Sequence, residues 1–232
     1  MRFKENSMLF IVATPIGNLD DITLRAIKTL SEVDFIICED TRVSRNLLNH
    51  LKISKELISL NAFNEESKVE SIVSRLSGGE KAALISDAGT PLVSDPGSRL
   101  ISKARKMGVW LIPVPGPSSL TAALSVTGFA ASEFQFLGFL PLKKGRQKTL
   151  QKINEYDEAV VVFESVYRIK RLLTEVSSIM PDRIMLICRE MTKKFEEIVE
   201  GTAAELLHHF SEREPKGEFV VIFAPKNWRK EL

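Results

Sequence analysis

Four carboxylates sit in two short stretches where apolar runs give way to turns. In "CEDTR" (38–42), Glu39 and Asp40 follow "DFIIC" directly. In "ALISDAGTPLVSDPG" (83–97), Asp87 follows "ALIS" and Asp95 stands further along the same loop. A carboxylate placed this way can take a proton or a hydrogen bond from a ligand hydroxyl. The second stretch also has the glycines of a phosphate loop, but it lacks the donors. Pro91 and Pro96 have no N–H, and two aspartates repel an anion. Neither a P-loop nor a dinucleotide fingerprint is present. The first loop, "ATPIGNLDD" (13–21), has the same shortage: Pro15 removes a donor, and Asp20 and Asp21 add negative charge. Such loops suit a cation or a neutral ligand with hydroxyls and an adenine edge, and the glycines serve backbone conformation.

Local helix chemistry competes for the same residues. "SDPG" reads as a helix start, with Ser94 or Asp95 as N-cap and Pro96 at the first helical position. Asp40 or Thr41 can cap the helix after the second apolar run, with Arg42 paired to a carboxylate. Asp87 has no such alternative, because it follows a buried strand at the edge where open α/β sheets bind ligands.

The elements that position these residues alternate. Apolar runs at 9–13, 33–38, 57–60, 82–85 and 110–114 are separated by segments of helical period at 22–30, 43–51, 69–76 and 100–107. Strand–helix alternation predicts a mostly parallel sheet with helices on both faces, and burial on both faces explains the unbroken apolar runs. "PVPGPSS" (113–119) marks a boundary and opens a helix at Ser118 or Ser119. The predicted domains are an α/β domain over 1–115 and a mixed α/β domain over 116–232. In the second, 134–139, 159–163, 184–188, 196–199 and 219–223 read as strands. Those at 184–189 and 195–200 have no helix between them, which predicts an antiparallel pair. Two α/β domains joined by a Pro-rich hinge leave a cleft, the default ligand site.

Bulk properties exclude some classes. The 232 residues are 44% apolar and 27% charged with a net charge of +2, so no global field argues for nucleic acid. Cys38 and Cys188 lie in apolar runs and read as buried free thiols of a reducing cytosol. His50, His208 and His209 have no metal-ligand spacing, so no metal is expected. "MLFIVATP" (8–15) is too short for a signal core or a membrane span, and a cytoplasmic protein is expected.

Six segments together resemble the tetrapyrrole methylase superfamily, and within it the ribosomal small-subunit methyltransferase I branch. They are "IVATPIGNLDDITLRA" (11–26), "CEDTR" (38–42), "LISDAGTPLVSDPG" (84–97), "VPGPSSLTAALSVTG" (114–128), "FLGFLPLKKGR" (136–146) and "KGEFVVIF" (216–223). The resemblance implies two α/β domains with S-adenosyl-L-methionine in the cleft between them, usually in a homodimer. It implies methylation of the ribose 2′-oxygen of a cytidine in the decoding centre of 16S rRNA, on the assembled small subunit. Carried over by motif, the cofactor contacts are Pro15, Ile16, Asp87, Gly89, Thr90, Leu92, Val93, Ser118 and Ser119. From the second domain come Phe163, Arg189, Lys216, Gly217 and Glu218. The cofactor carries a sulfonium and an ammonium but no phosphate, which agrees with the loops. A ribose hydroxyl needs a base, and Glu39, Asp40 and Glu190 are the candidates.

For RNA, "LKKGRQKTLQK" (142–152) supplies Lys143, Lys144, Arg146, Lys148 and Lys152 without an acid. Such a loop holds phosphates without reading sequence, unless it is simply a solvated helix start. Arg42, Arg45, Arg168, Lys170 and Arg171 extend the set, and Tyr167 can stack a base.

Three departures from the family pattern stand out. "NAFNEES" (61–67) lacks the family's histidines. "ESVYR" (164–168) has Tyr167 where relatives have His, and a tyrosine is no near-neutral base. The C-terminal extension of many relatives has no counterpart before Leu232. Two other functions compete: a tetrapyrrole C-methyltransferase, which would carry Gly-Pro-Gly-Asp in the first loop, and a non-catalytic ribosome-binding relative.

Overall fold

The computed structural model describes residues 7–129, 131–211 and 216–228. The chain divides into two compact units, Met1–Ser118 and Ser119–Leu232.

Unit 1 is a five-stranded parallel sheet of β1 (Met8–Val12), β2 (Phe35–Cys38), β3 (Glu56–Ser59), β4 (Lys81–Leu84) and β5 (Trp110–Val114), in the order β3-β2-β4-β1-β5. Its helices are α1 (Leu24–Glu32), α2 (Thr41–His50), α3 (Glu65–Ser77) and α4 (Ser98–Lys106). Alternate strand residues enter different cores. Phe35, Ile37, Ala82 and Leu84 pack with Val69, Ile72 and Leu76 of α3 and Leu100 and Ala104 of α4. Ile36, Cys38 and Ala83 pack with Ala26 and Leu30 of α1 and Leu48 of α2. The expected parallel sheet with two covered faces is therefore found.

β5 contains Pro113, which no central strand tolerates. Trp110 N–H donates to Ser7 C=O and Val114 C=O accepts from Ala13 N–H, so these residues face β1. Pro113, one residue out of that alternation, places its missing donor on the free edge of the sheet.

Unit 2 is a mixed sheet of β6 (Phe134–Phe139), β7 (Ala159–Ser165), β8 (Met185–Arg189), β9 (Glu197–Gly201) and β10 (Glu218–Phe223), in the order β6-β7-β10-β8-β9. Only β6–β7 is parallel, and β8–β9 is the expected antiparallel pair. Its helices are α5 (Ser119–Leu124), α6 (Arg146–Glu155), α7 (Ile169–Ile179) and α8 (Ala203–Ser211). Phe219, Val221 and Phe223 of β10 face the core with α6, α7 and α8, while Val220 and Ile222 face the one with Ala123 of α5. Both cysteines are free and buried.

The expected helix start at Asp95–Pro96 is corrected. α4 begins at Ser98, after Gly97 in a left-handed conformation (φ 119°). Its first free amides, those of Arg99 and Leu100, donate to Glu65 Oε1 at 2.9 and 3.3 Å. A carboxylate from α3 thus takes the place of a local cap.

Candidate functional site

The carboxyl ends of β1, β4 and β5 lead into loops that are fastened together. Thr14 and Gly89 exchange backbone hydrogen bonds at 2.9 and 3.0 Å, and Thr14 Oγ1 donates to Ser86 C=O at 3.1 Å. Thr90 Oγ1 donates to Pro117 C=O at 3.1 Å, joining the aspartate-glycine loop to the Pro-Gly-Pro loop. Gly89 needs to be glycine: its φ is 80°, and an added Cβ would lie 3.3 Å from Ile16 Cγ2. The structure thus brings together Pro15, Ile16, Asp87, Gly89, Thr90 and Ser118, with α5 starting at Ser119. Pro15 and Ile16 are buried, so the first loop offers backbone rather than side chains.

Leu92 (φ 75°) and Ser94 (φ 73°) are left-handed without being glycine, next to left-handed Gly89 and Gly97. Such a conformation is costly for a bulky residue such as Leu92 and clusters where a loop serves a ligand. Val93 lies between them, half-buried.

The carboxylates differ sharply. Asp87 is exposed, and its Oδ1 accepts from Asp40 N–H at 3.1 Å. Asp40 itself caps α2, accepting from Arg42 N–H at 2.8 Å and from the Arg42 guanidinium at 2.6 Å. Those bonds hold its carboxyl at about 2. Burial raises the Glu39 carboxyl above its ordinary value, and the charges of Asp87, Asp95 and Asp40 add to the shift. Asp95 is also raised, by burial first and by Asp87, against a hydrogen bond from Ser86. Asp87 is raised too, because the surrounding loops shield its carboxyl in part from water even though the residue reaches the surface, with the Asp40 N–H opposing. Of the two acids in "CEDTR", Glu39 is the one poised to accept a proton, because a low pKa makes Asp40 a weak base.

In unit 2, Arg189, Glu190, Lys216, Gly217 and Glu218 meet where β8 ends and β10 begins. Arg189 donates to Lys216 C=O at 2.7 Å and to Glu197 at 3.0 Å. Glu190 exchanges hydrogen bonds with Glu218, N–H to C=O at 3.0 Å and Oε1 from N–H at 3.1 Å. Burial would raise the Glu190 carboxyl, but Lys193 at 2.9 Å and the Glu218 N–H bring it below its ordinary value. That is poor equipment for a base. Gly217 (φ 99°) packs so closely on Glu190 that a Cβ would overlap its side chain. Phe163 lies on β7, opposite Val220 of β10 and edge-to-face with Phe136 and Phe139.

The basic loop splits in two. Lys143, Lys144 and Lys148 are exposed. Arg146 is not available to RNA: it is 1% exposed, with Nε 2.6 Å from Glu175 and Nη1 3.6 Å from Glu164. Arg168 is turned inward as well, 2.7 Å from Glu164 and donating to Leu140 C=O at 3.3 Å. Both arginines therefore hold unit 2 together. Tyr167 stands out at 94% exposure, and Arg42, although paired with Asp40 at 2.6 Å, keeps its side chain 88% exposed.

Sequence reasoning missed Phe63 and Glu65. The signal for Glu65 lies in three dimensions only, since it caps a helix that begins 33 residues later, at Ser98. For Phe63, the paired asparagines of "NAFN" were the available signal, since Asn side chains fix turns.

A sequence profile of the family described as Tetrapyrrole (Corrin/Porphyrin) Methylases matches residues 8–207. A Thermotoga maritima protein named "Ribosomal RNA small subunit methyltransferase I" is 44% identical over 94% of this chain and 98% of its own. A Xylella fastidiosa protein of the same name is 46% identical over 92% and 80%. The crystal structure of a diphthine synthase superposes with a TM-score of 0.77, covering 96% of this chain and 92% of the other, at 16% identity, which speaks for the fold alone. Fold and sequence agree, and the chain belongs to the tetrapyrrole (corrin/porphyrin) methylase family, in the group of relatives named ribosomal RNA small subunit methyltransferase I.

Proposed function

We propose that this protein is an S-adenosylmethionine-dependent rRNA methyltransferase that modifies the ribose 2′-oxygen of a cytidine in the decoding centre of 16S rRNA. The names of its relatives support the rRNA substrate. The observation that carries the cofactor is the fastened loop set of unit 1. It offers Asp87, a left-handed Gly89 and prolines in place of N–H donors, a lining that fits a cationic, phosphate-free ligand. Asp87, Thr90 and the backbone of Pro15, Ile16, Gly89, Leu92, Val93, Ser118 and Ser119 would hold it. The second unit's Phe163, Arg189, Lys216, Gly217 and Glu218 belong to the same proposal. When bound, the cofactor supplies an activated methyl group.

The protein's own contribution is then orientation, which can supply roughly 7–11 kcal/mol, and removal of one proton. Glu39 is the assigned base, with its raised carboxyl beside Asp87 and Asp95. Lys143, Lys144, Lys148 and Tyr167 hold RNA. The reading includes a homodimer working in the cytoplasm on the assembled small subunit. Among the described residues no helix is long and apolar enough to cross a membrane, and no group of three or more His, Cys, Asp or Glu could hold a metal ion.

The test is incubation with radiolabelled S-adenosylmethionine and small subunits from a strain lacking this methylation. Label in the ribose of 16S rRNA is expected. Label appearing only on a porphyrinogen would replace this reading with the tetrapyrrole one. Cofactor binding without any transfer would leave a ribosome-binding relative.

A further inference from the structure

A cavity of about 510 Å³ opens in unit 1 beside the loops after β2, β3 and β4, lined by Glu39, Phe63, Ser94, Asp95 and Arg99 among others. Its size falls in the range of about 300–1,000 Å³ common for small-ligand sites. Phe63 is the unexpected member, since the residue is 100% exposed. An aromatic ring left wholly in water has no role in packing.

Nor is the ring on a loose tip. Asn61 Oδ1 accepts from Phe63 N–H at 3.0 Å and from Asn64 N–H at 3.1 Å. Asn64 returns the contact, its Oδ1 accepting from Asn61 N–H at 2.8 Å and its Nδ2 donating to Ser59 C=O at 3.2 Å. Two asparagines thus fix the backbone on both sides of the ring and tie it to the end of β3.

The walls select what enters. Glu39 and Asp95 offer acceptors. Glu65, also at the cavity, is occupied by the first amides of α4, which closes that helix end to an anion. Arg99 is paired with Glu66 at 3.4 Å. Phosphate is repelled, whereas hydroxyl and amino donors and a flat ring are welcome. An unpaired nucleoside combines these features, because its base has a stacking face and its sugar has hydroxyls.

We propose that this cavity receives an unpaired ribonucleoside of the RNA substrate, its base stacked on Phe63 and its donors taken by Glu39 and Asp95. The proposal rests on the rRNA methyltransferase reading and gives the target nucleoside a place in it.

Two measurements test it separately from that reading. Single-stranded RNA carrying 5-iodocytidine, irradiated with the protein, should become joined to the peptide that contains Phe63, and Phe63→Ala should abolish that product. In methyl transfer to small subunits, Phe63→Ala should lower kcat/KM about tenfold or more, the size of one base–aromatic stack. Phe63→Trp should restore most of it, with cofactor affinity by calorimetry the same in all three proteins. Joining only at other peptides, or an unchanged kcat/KM in Phe63→Ala, overturns the cavity's role. A wild-type protein that joins RNA at Phe63 but transfers nothing to small subunits keeps the cavity and defeats the rRNA reading.

Discussion

Asp87 Oδ1 accepts a hydrogen bond from the backbone N–H of Asp40 at 3.1 Å. The bond crosses from the loop after β4 to the loop after β2, so the residue expected to meet the cofactor also positions the stretch that carries Glu39. Replacing Asp87 with Ala should therefore affect cofactor and base together. Cofactor affinity should fall about tenfold or more, since hydrogen bonds to charged groups are worth about 1.5–3 kcal/mol. Calorimetry with S-adenosylmethionine checks this, and an unaltered Kd would remove Asp87 from the cofactor site.

Raised carboxyls make two pH signatures. If Glu39 takes the ribose proton, kcat/KM should climb with pH through a value above glutamate's ordinary one and then level off. Glu39→Gln should remove both the step and most of the rate. A profile that keeps its step in Glu39→Gln would assign the titration elsewhere.

The same shifts act on stability with the opposite appearance. Folded Glu39, Asp87 and Asp95 hold their protons more tightly than the unfolded chain does. Their contribution is fully present below the unfolded pKa and is lost as pH rises through the folded values. Asp95→Asn should then unfold at a higher temperature than wild type at neutral pH, with the difference vanishing in acid. Thermal unfolding across pH measures it, and a lower Tm at neutral pH would contradict the sign.

Arg146 should behave as a core residue. Removing one partner of a buried ion pair costs about 3–5 kcal/mol, because the other charge is stranded. Arg146→Ala should show a loss of that size by denaturant unfolding, since Glu164 and Glu175 would lose a shared cation. Lys143→Ala, in the same basic stretch, should show none.

The exposed lysines carry the RNA prediction. Reversing Lys143 and Lys144 to Glu should raise KM for small subunits and flatten its dependence on salt, as fewer phosphates are neutralised. Cofactor affinity should stay the same. Its collapse would place this loop at the cofactor instead.

Much of this was readable from the chain. Strands buried on two faces write themselves as apolar runs, and Phe35–Cys38 shows why: its successive side chains enter two different cores. The antiparallel β8–β9 pair was visible because no helical period separates its strands. What failed were readings of local chemistry overruled at a distance. Asp95 and Pro96 spell a helix start, yet left-handed Gly97 and Glu65 set it elsewhere. Arg146 stands among exposed lysines, and only the fold reveals Glu164 and Glu175 beside it. The carboxylates of Glu39 and Asp40 are neighbours in sequence, and their environments alone separate proton acceptor from helix cap.

The Glu65 contact with α4 has an evolutionary consequence. Because a residue of α3 anchors the start of α4, the loop between Gly89 and Gly97 carries no duty in starting that helix. Substitutions in the loop can retune what it grips while the scaffold behind it stays intact. Such an arrangement lets one architecture diversify its chemistry by loop exchange.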